Sequence, residues 1–294
     1  MKHIFKILPF FLCFISFGQS IKKEIKMLEG IWIAEEYYNS FEENNSAIKS
    51  KNAFDPNYPV ALRINSKEIK KGILNIGYSV LHDHLLHPEV SEYLINNKDT
   101  IREQGKYKIN LKAKDSLNYY KTTDIYYFNY DWISYFTWDI NNNSVSLYRP
   151  KGNGHEEKFI VFKRIPFEFK NDYLFPNPLY YYTRSKTLSG NYTLKDNLGN
   201  ILSESLTIEN NGIVKGFGLL DNFTVYFSTD IYCGPPAKYD LVMFFDDILI
   251  DESEAFHYLY VKNENGNIDF HNILSNKEDG TYILGERVYE LEKN

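Results

Sequence analysis

Between Gly190 and Lys293, short runs rich in aromatic and β-branched residues follow one another, with glycine, asparagine, aspartate or proline between many of them. Eight such runs can be read: GNYTLKD, ILSESLTIE, GIVKGFG, NFTVYFSTD, YDLVMFF, FHYLYVKN, NIDFHNIL and YILGERVYELEK. These residue types fit the pleated, half-buried surface of a strand. Alternation of apolar with polar positions turns one face of each strand towards a core. Asn211-Gly212 and Asn265-Gly266 fall between runs, and such dipeptides accept the positive φ of a tight hairpin turn. A close, regular series of this kind predicts an antiparallel barrel or sandwich.

The N-terminal half reads the same way at looser spacing. PVALRINS, KGILNIGYSV, GKYKINLKA, WISYFTWDI, SVSLYRP and EKFIVFKRI are predicted strands. IKKEIKMLEG places Ile21, Ile25 and Leu28 on one helical face and ends at Gly30, so it predicts one short amphipathic helix. Residues 39–58 are polar and read as a long loop, and PEVSEYLINN reads as a short helix with Pro88 at its first position. Between the halves, IPFEFKNDYLFPNPLYYYTRSKT carries Pro166, Pro176 and Pro178 without a clear period and reads as a linker that packs on a domain.

The first residues, MKHIFKILPFFLCFISFGQS, join the positive Lys2 and Lys6 to an apolar stretch from Ile7 to Phe17 and then to small residues before Gln19. That is the pattern of a cleaved export signal, too short to span a bilayer. The expected compartment is periplasmic or extracellular. Bulky Phe11-Leu12 ahead of Cys13 speak against lipidation there. Loss of the leader leaves Cys233 as the single thiol, so stability comes from packing rather than disulfides. The formal charge of −6 becomes two units more negative without Lys2 and Lys6. With no basic run, nucleic acid and anionic membrane are poor partners. No later stretch is long and apolar enough to predict a membrane span.

The two halves carry matching marks. Leu28-Glu29-Gly30-Ile31-Trp32 opens the first and Leu188-Ser189-Gly190-Asn191-Tyr192 the second; KFIVFKRI and RVYELE close them. A helical turn, then Gly-x-Trp on a first strand, then a run of antiparallel strands resembles the lipocalin superfamily. The residues carrying the resemblance are Gly30 and Trp32, echoed by Gly190 and Tyr192. It implies that the ring packs across the closed end of an eight-stranded barrel under a basic side chain from near the last strand. Arg164 is the matching residue for Trp32, and Arg287 for Tyr192. The expected fold is therefore all-β: two antiparallel lipocalin-like barrel or sandwich domains with short helices in loops. Their boundaries are 1–18 for the signal, 19–165, a linker at 166–186, and 187–294.

Four constellations could carry chemistry. In LHDHLLHPEV, His82 and His84 share one face if the strand continues, and His87 joins them only if the chain turns before Pro88. Zinc is the metal such a set would hold, but catalytic zinc needs three protein ligands and a placed carboxylate, and no zinc-hydrolase spacing appears. A strand end followed by a helix cap accounts for the same residues, and no other cofactor is implied. Asp246, Asp247, Asp251, Glu252 and Glu254 cluster without the spacing of a calcium loop and read as a solvated turn. Trp132, Tyr135 and Trp138 stand in an aromatic tract that either packs the core or offers a platform for a sugar or apolar ligand. Cys233, in YCGPPAKYD, reads as an inert turn cysteine. No Gly-x-Ser-x-Gly, phosphate loop or Cys–His nucleophile is present. The sequence thus favours a non-enzymatic binding protein for a small apolar or saccharide ligand. A glycan-active hydrolase and a surface-interaction protein with filled barrels are the competing readings.

Overall fold

The computed structural model describes residues 28–56, 58–65, 75–81, 91–93, 111–113, 119–122, 125–126, 133–139, 142–151, 155–167, 177–227, 236–245 and 255–294. The described residues are mostly strand, arranged as two antiparallel sheets, neither of them closed into a barrel. Two compact units share the chain. One holds residues 1–32, 62–78 and 91–171, the other residues 33–61, 79–90 and 172–294.

The first sheet is built from β1 (Gly30–Ala34), β2 (Pro59–Asn65), β3 (Asn75–Val80), β4 (Ser91–Tyr93), β5 (Leu111–Ala113), β6 (Tyr119–Thr122), β7 (Ile125–Tyr126), β8 (Ile133–Asp139), β9 (Ser144–Lys151) and β10 (His155–Ile165). Its order is β4-β3-β2-β1-β10-β9-β8-β6-β5, with β7 on β8. Next-neighbour pairing runs through it, and the first strand lies beside the last. β1 is buried throughout, so GIWIA is apolar without alternation.

The second sheet is built from β11 (Gly190–Asp196), β12 (Ile201–Ile208), β13 (Val214–Lys215), β14 (Thr224–Phe227), β15 (Asp240–Phe245), β16 (Phe256–Lys262), β17 (Ile268–Ser275) and β18 (Tyr282–Lys293). The order is β13-β12-β11-β18-β17-β16-β15-β14, again with the first strand beside the last. Its edges β13 and β14 form no ladder. They meet at one antiparallel bridge, Ile213 with Thr224, and through Val225 N–H to the Gly212 carbonyl at 2.8 Å and Val214 N–H to the Phe223 carbonyl at 3.0 Å. Arg184, buried on the helix Pro178–Thr187, clasps this seam: Nε donates to the Asn210 carbonyl and Nη1 to the Val225 carbonyl, each at 3.1 Å. Gly212 is required beside it, because its φ is +95° and a Cβ would lie 2.9 Å from the Val225 oxygen.

Three stretches differ from the sequence reading. The expected linker contains a helix, Pro178–Thr187, whose Asn177 side chain accepts from the N–H groups of Leu179 and Tyr180 and whose first residue is Pro178. Cap and proline are the usual start signals; the aromatic run YYY hides the period. Residues 39–58 are largely helical rather than loop: Glu35–Asn44, Ala47–Ser50 and a 3-10 turn at Lys51–Ala53. Their sparse apolar positions, Tyr37 and Phe41, are both buried, so two residues suffice where a neighbour covers the face. Ser91–Tyr93, expected in a helix, forms β4 against β3, pairing overriding local propensity.

In the second unit the inward face follows from register. Leu194 opposes Leu291, Ile268 opposes Leu291, Phe270 opposes Tyr289 and Tyr260, Val242 opposes Tyr258, and Val225 opposes Phe244. Five rings pack together there. Tyr258 stacks on Phe270 at 5.8 Å, Phe244 meets Phe270 edge-on at 5.8 Å, and Phe217 meets Tyr289 edge-on at 5.0 Å. Such pairs add about 0.5–1.5 kcal/mol each beyond the area they bury.

Candidate functional site

The opening motif recurs as geometry in each unit. Trp32 Nε1 donates to the Leu28 carbonyl at 2.9 Å, and Tyr192 Oη donates to the Leu188 carbonyl at 2.8 Å. In both the ring reaches back four residues and both rings are buried. The glycine two residues earlier makes room. A Cβ on Gly30 would stand 3.2 Å from Arg164 Nε, and one on Gly190 would stand 3.1 Å from the Tyr192 hydroxyl. The Arg164 guanidinium lies 5.9 Å from the Trp32 ring centroid, and Nη2 donates to the Glu29 carbonyl at 2.6 Å. Gly30, Trp32 and Arg164 therefore form one cluster, and Gly190 with Tyr192 another.

Arg287 is placed elsewhere. Its Nη1 reaches Asp269 Oδ1 at 3.4 Å and Glu290 Oε2 at 3.3 Å. Asp269 and Glu290 are registered opposite each other across the β17–β18 ladder. Each carboxylate oxygen has a donor. Asn263 Nδ2 donates to Asp269 Oδ2 at 2.9 Å, Asn267 Nδ2 donates to Glu290 Oε1 at 3.0 Å, and Arg287 takes the rest. The cluster is a hydrogen-bonded network on the sheet.

Of the aromatic tract, Trp138 is 2% exposed and packs in the core of β8, opposite Tyr120 and Val145 in register. It belongs to the packing of that strand rather than to an open platform. Tyr135 stands opposite Tyr148 in the ladder. Trp132, the histidines His82, His84 and His87, Cys233 and the carboxylates 246–254 lie outside the described residues. Among the described residues no group of three His, Cys, Asp or Glu side chains is placed to hold a metal ion. Among them, too, no helix is long and apolar enough to cross a membrane.

The unexpected feature lies at one end of the second sheet. Consecutive strands there run in opposite directions, so the β11–β12 and β13–β14 connections leave from the same end, where β16 also begins; the β17–β18 turn instead meets the residues leading into β15, with Tyr282 N–H donating to the Pro236 carbonyl at 2.7 Å beside an Ala237–Tyr282 bridge. That end carries exposed aliphatic and aromatic side chains: Leu198, Ile201, Leu202, Leu219 and Phe256. Leu198 is 82% exposed and Leu219 is 88% exposed, more than any other large apolar side chain described.

Both leucines are held out by built turns. Asp196 Oδ1 accepts from Leu198 N–H at 2.9 Å and Asn200 N–H at 2.8 Å, while Oδ2 accepts from Asn200 Nδ2 at 2.8 Å. Those bonds, led by the Asn200 side chain, hold the Asp196 carboxyl below the usual carboxylate range, so it stays charged. In the second turn, Asp221 Oδ1 accepts from Phe217 N–H at 2.6 Å, and the neighbours Phe217 and Leu220 are buried. With both neighbours anchored, Leu219 has only solvent to point at. The sequence holds a signal for these residues: each is a leucine set among Asp, Asn and Gly, where a solvated turn has no use for an aliphatic side chain.

No protein-family model, curated protein or solved structure matches this chain.

Proposed function

We propose that this chain is an exported, non-enzymatic binding protein of two lipocalin-like units, and that its second unit binds an apolar ligand at the connection end of the sheet. The observation that carries the reading is the contrast between a filled interior and an apolar exterior. Phe217, Phe244, Tyr258, Phe270 and Tyr289 occupy the inward face, while five apolar side chains stand exposed at one end. A soluble surface gains nothing from Leu198 and Leu219 in water; an apolar ligand would remove them from it, at about 25 cal/mol per Å². Of the two ligand classes the sequence leaves open, the apolar one fits this end better. Sugars are gripped by aromatic faces and polar forks, whereas four of the five exposed residues here are aliphatic. The lipocalin reading is supported by next-neighbour strand order with first strand beside last, and by the twice-used ring-to-carbonyl closure.

The test is titration of the full chain with the neutral fluorophore N-phenyl-1-naphthylamine. Saturable binding is expected, weakened about tenfold in Leu198→Ser/Leu219→Ser, a loss of about 1.4 kcal/mol. Absence of saturable binding, or equal binding by the double variant, refutes the site.

A further inference from the structure

Two Asn–Gly pairs of this chain close hairpins of the second sheet, Asn211-Gly212 between β12 and β13 and Asn265-Gly266 between β16 and β17. The two turns share one geometry. Gly212 N–H donates to the Glu209 carbonyl and Gly266 N–H to the Asn263 carbonyl, each at 2.9 Å. The glycines adopt φ of +95° and +90°. In each turn the asparagine Oδ1 accepts from the N–H two residues on, Ile213 or Asn267, at 3.0 Å. The surroundings differ. Gly212 is buried in the seam, where its carbonyl accepts from Val225 N–H at 2.8 Å and a Cβ would stand 3.0 Å from Arg184 Cζ. Asn211 is half-buried, and its Nδ2 donates to Glu209 Oε2 at 3.2 Å. Asn265 is exposed, and a Cβ on Gly266 would meet nothing within 4 Å. A turn tied into a seam rearranges only when the seam opens, whereas an open turn rearranges alone.

We infer that Asn265 is a site of spontaneous modification, converted through a cyclic imide to aspartate and isoaspartate, while the seam holds Asn211 inert in the same dipeptide. Hydroxide takes the Gly266 amide proton, and the nitrogen attacks Asn265 Cγ. A C–N bond forms, the Cγ–Nδ2 bond breaks, and ammonia leaves with a proton from water. Water then opens the ring at either carbonyl, giving aspartate or isoaspartate, the latter with one more methylene in the backbone. The consequence reaches the sheet, because Asn263 and Asn267 flank this residue and give their Nδ2 groups to Asp269 and Glu290. Isoaspartate lengthens the chain between those two amides and adds a negative charge to the turn that carries them.

The experiment incubates the full chain in mildly alkaline buffer at body temperature. Samples are digested with pepsin in acid, and each asparagine is followed by tandem mass spectrometry. Asn265 should gain one mass unit at least about tenfold faster than Asn211, with isoaspartate among its products. In concentrated urea the two should react at similar rates, which isolates the contribution of the fold. Arg184→Met, which loosens the seam, should speed Asn211 several-fold and leave Asn265 unchanged. Equal rates in the folded chain, or a faster Asn211, overturn the assignment. An Asn265 that reacts in urea but not in the folded chain overturns it as well, since the turn alone would then protect. If the urea rates themselves differ tenfold, local sequence rather than the seam makes the distinction, and the inference fails.

Discussion

Asp240 is the place where pH should be felt most directly. It opens β15 and is buried, yet its carboxylate holds the segment that follows the Glu35–Asn44 helix: Ile48 N–H donates to Oδ1 at 2.9 Å, with further bonds from Ser46 and Ala47. Burial dominates, and those donors with Lys49 only partly offset it, so the carboxyl is pushed up to about 6 from 3.8. A folded-state value above the unfolded one means that the stabilising contribution is complete below about pH 4 and is lost as pH rises through 6. Each tenfold gain in proton affinity is worth about 1.4 kcal/mol, so the rise from 3.8 to about 6 amounts to roughly 3 kcal/mol. Asp240→Asn retains an acceptor for Ile48 and removes the titration. Hydrogen exchange at the Ala47 and Ile48 amides reads the local opening free energy in both proteins, and taking the difference cancels every other titrating group. That difference should move by about 2–3 kcal/mol in the variant's favour between about pH 4 and pH 7. A difference constant to within about 0.5 kcal/mol, or one of opposite sign, would refute the account of Asp240 as a carboxylate strained by burial.

Arg184→Met should cost about 2–5 kcal/mol in urea unfolding, because the Asn210 and Val225 carbonyls lose their donor in a buried seam; a cost under about 1 kcal/mol would mean the seam holds without the clasp. A double-mutant cycle of Trp32→Leu with Arg164→Met should give a coupling of about 0.5–1 kcal/mol for the exposed guanidinium over the ring, and a coupling of zero would reduce Arg164 to its bond with Glu29. Leu198→Ser/Leu219→Ser should leave thermal stability within about 0.5 kcal/mol of the parent, since neither side chain is buried; a larger loss would show that they pack rather than present.

All eight C-terminal strands are legible in the sequence because alternation and turn residues agree along them. GIVKGFG reads as a longer strand than it forms: Val214–Lys215 joins the β12 ladder and Ile213 makes a single bridge, while Gly216 and Gly218 adopt positive φ and Gly216 sits where a Cβ would lie 2.5 Å from the Ser205 carbonyl. The helices at 35–53 escape a sequence reading for an opposite reason. Their stability is tertiary: Tyr38 stacks on Tyr182 at 5.7 Å, Tyr182 Oη donates to Glu42 at 3.0 Å, and Lys186 pairs with Glu42 at 2.6 Å. Burial, with Glu42 beside it, pushes the Tyr182 hydroxyl far above its ordinary range, so it remains a donor at any working pH. Partners more than a hundred residues away leave no trace in a local period.

Arg287 shows the limit most sharply. Aligning RVYELE with KFIVFKRI puts an arginine near the end of each last strand, but Arg164 is the penultimate residue of β10, whereas the residue across from Tyr192 is Lys293. At about 3.3 Å per residue, Arg287 lies some 20 Å further along the strand. Counting alone would also put Arg287 on the face of Tyr289 and Leu291. The ladder slips by one residue between the Phe270–Tyr289 and His271–Arg287 pairs, and a bulge of that kind reverses the facing of everything beyond it. Arg287 thereby joins Asp269 and Glu290 instead of the inward rings. The two units can therefore share strand order and the ring-to-carbonyl bond without sharing the arginine. The ring-to-carbonyl bond depends on residues four apart in one chain segment, whereas the cation arrives from the far end of the unit, where one inserted residue redirects it.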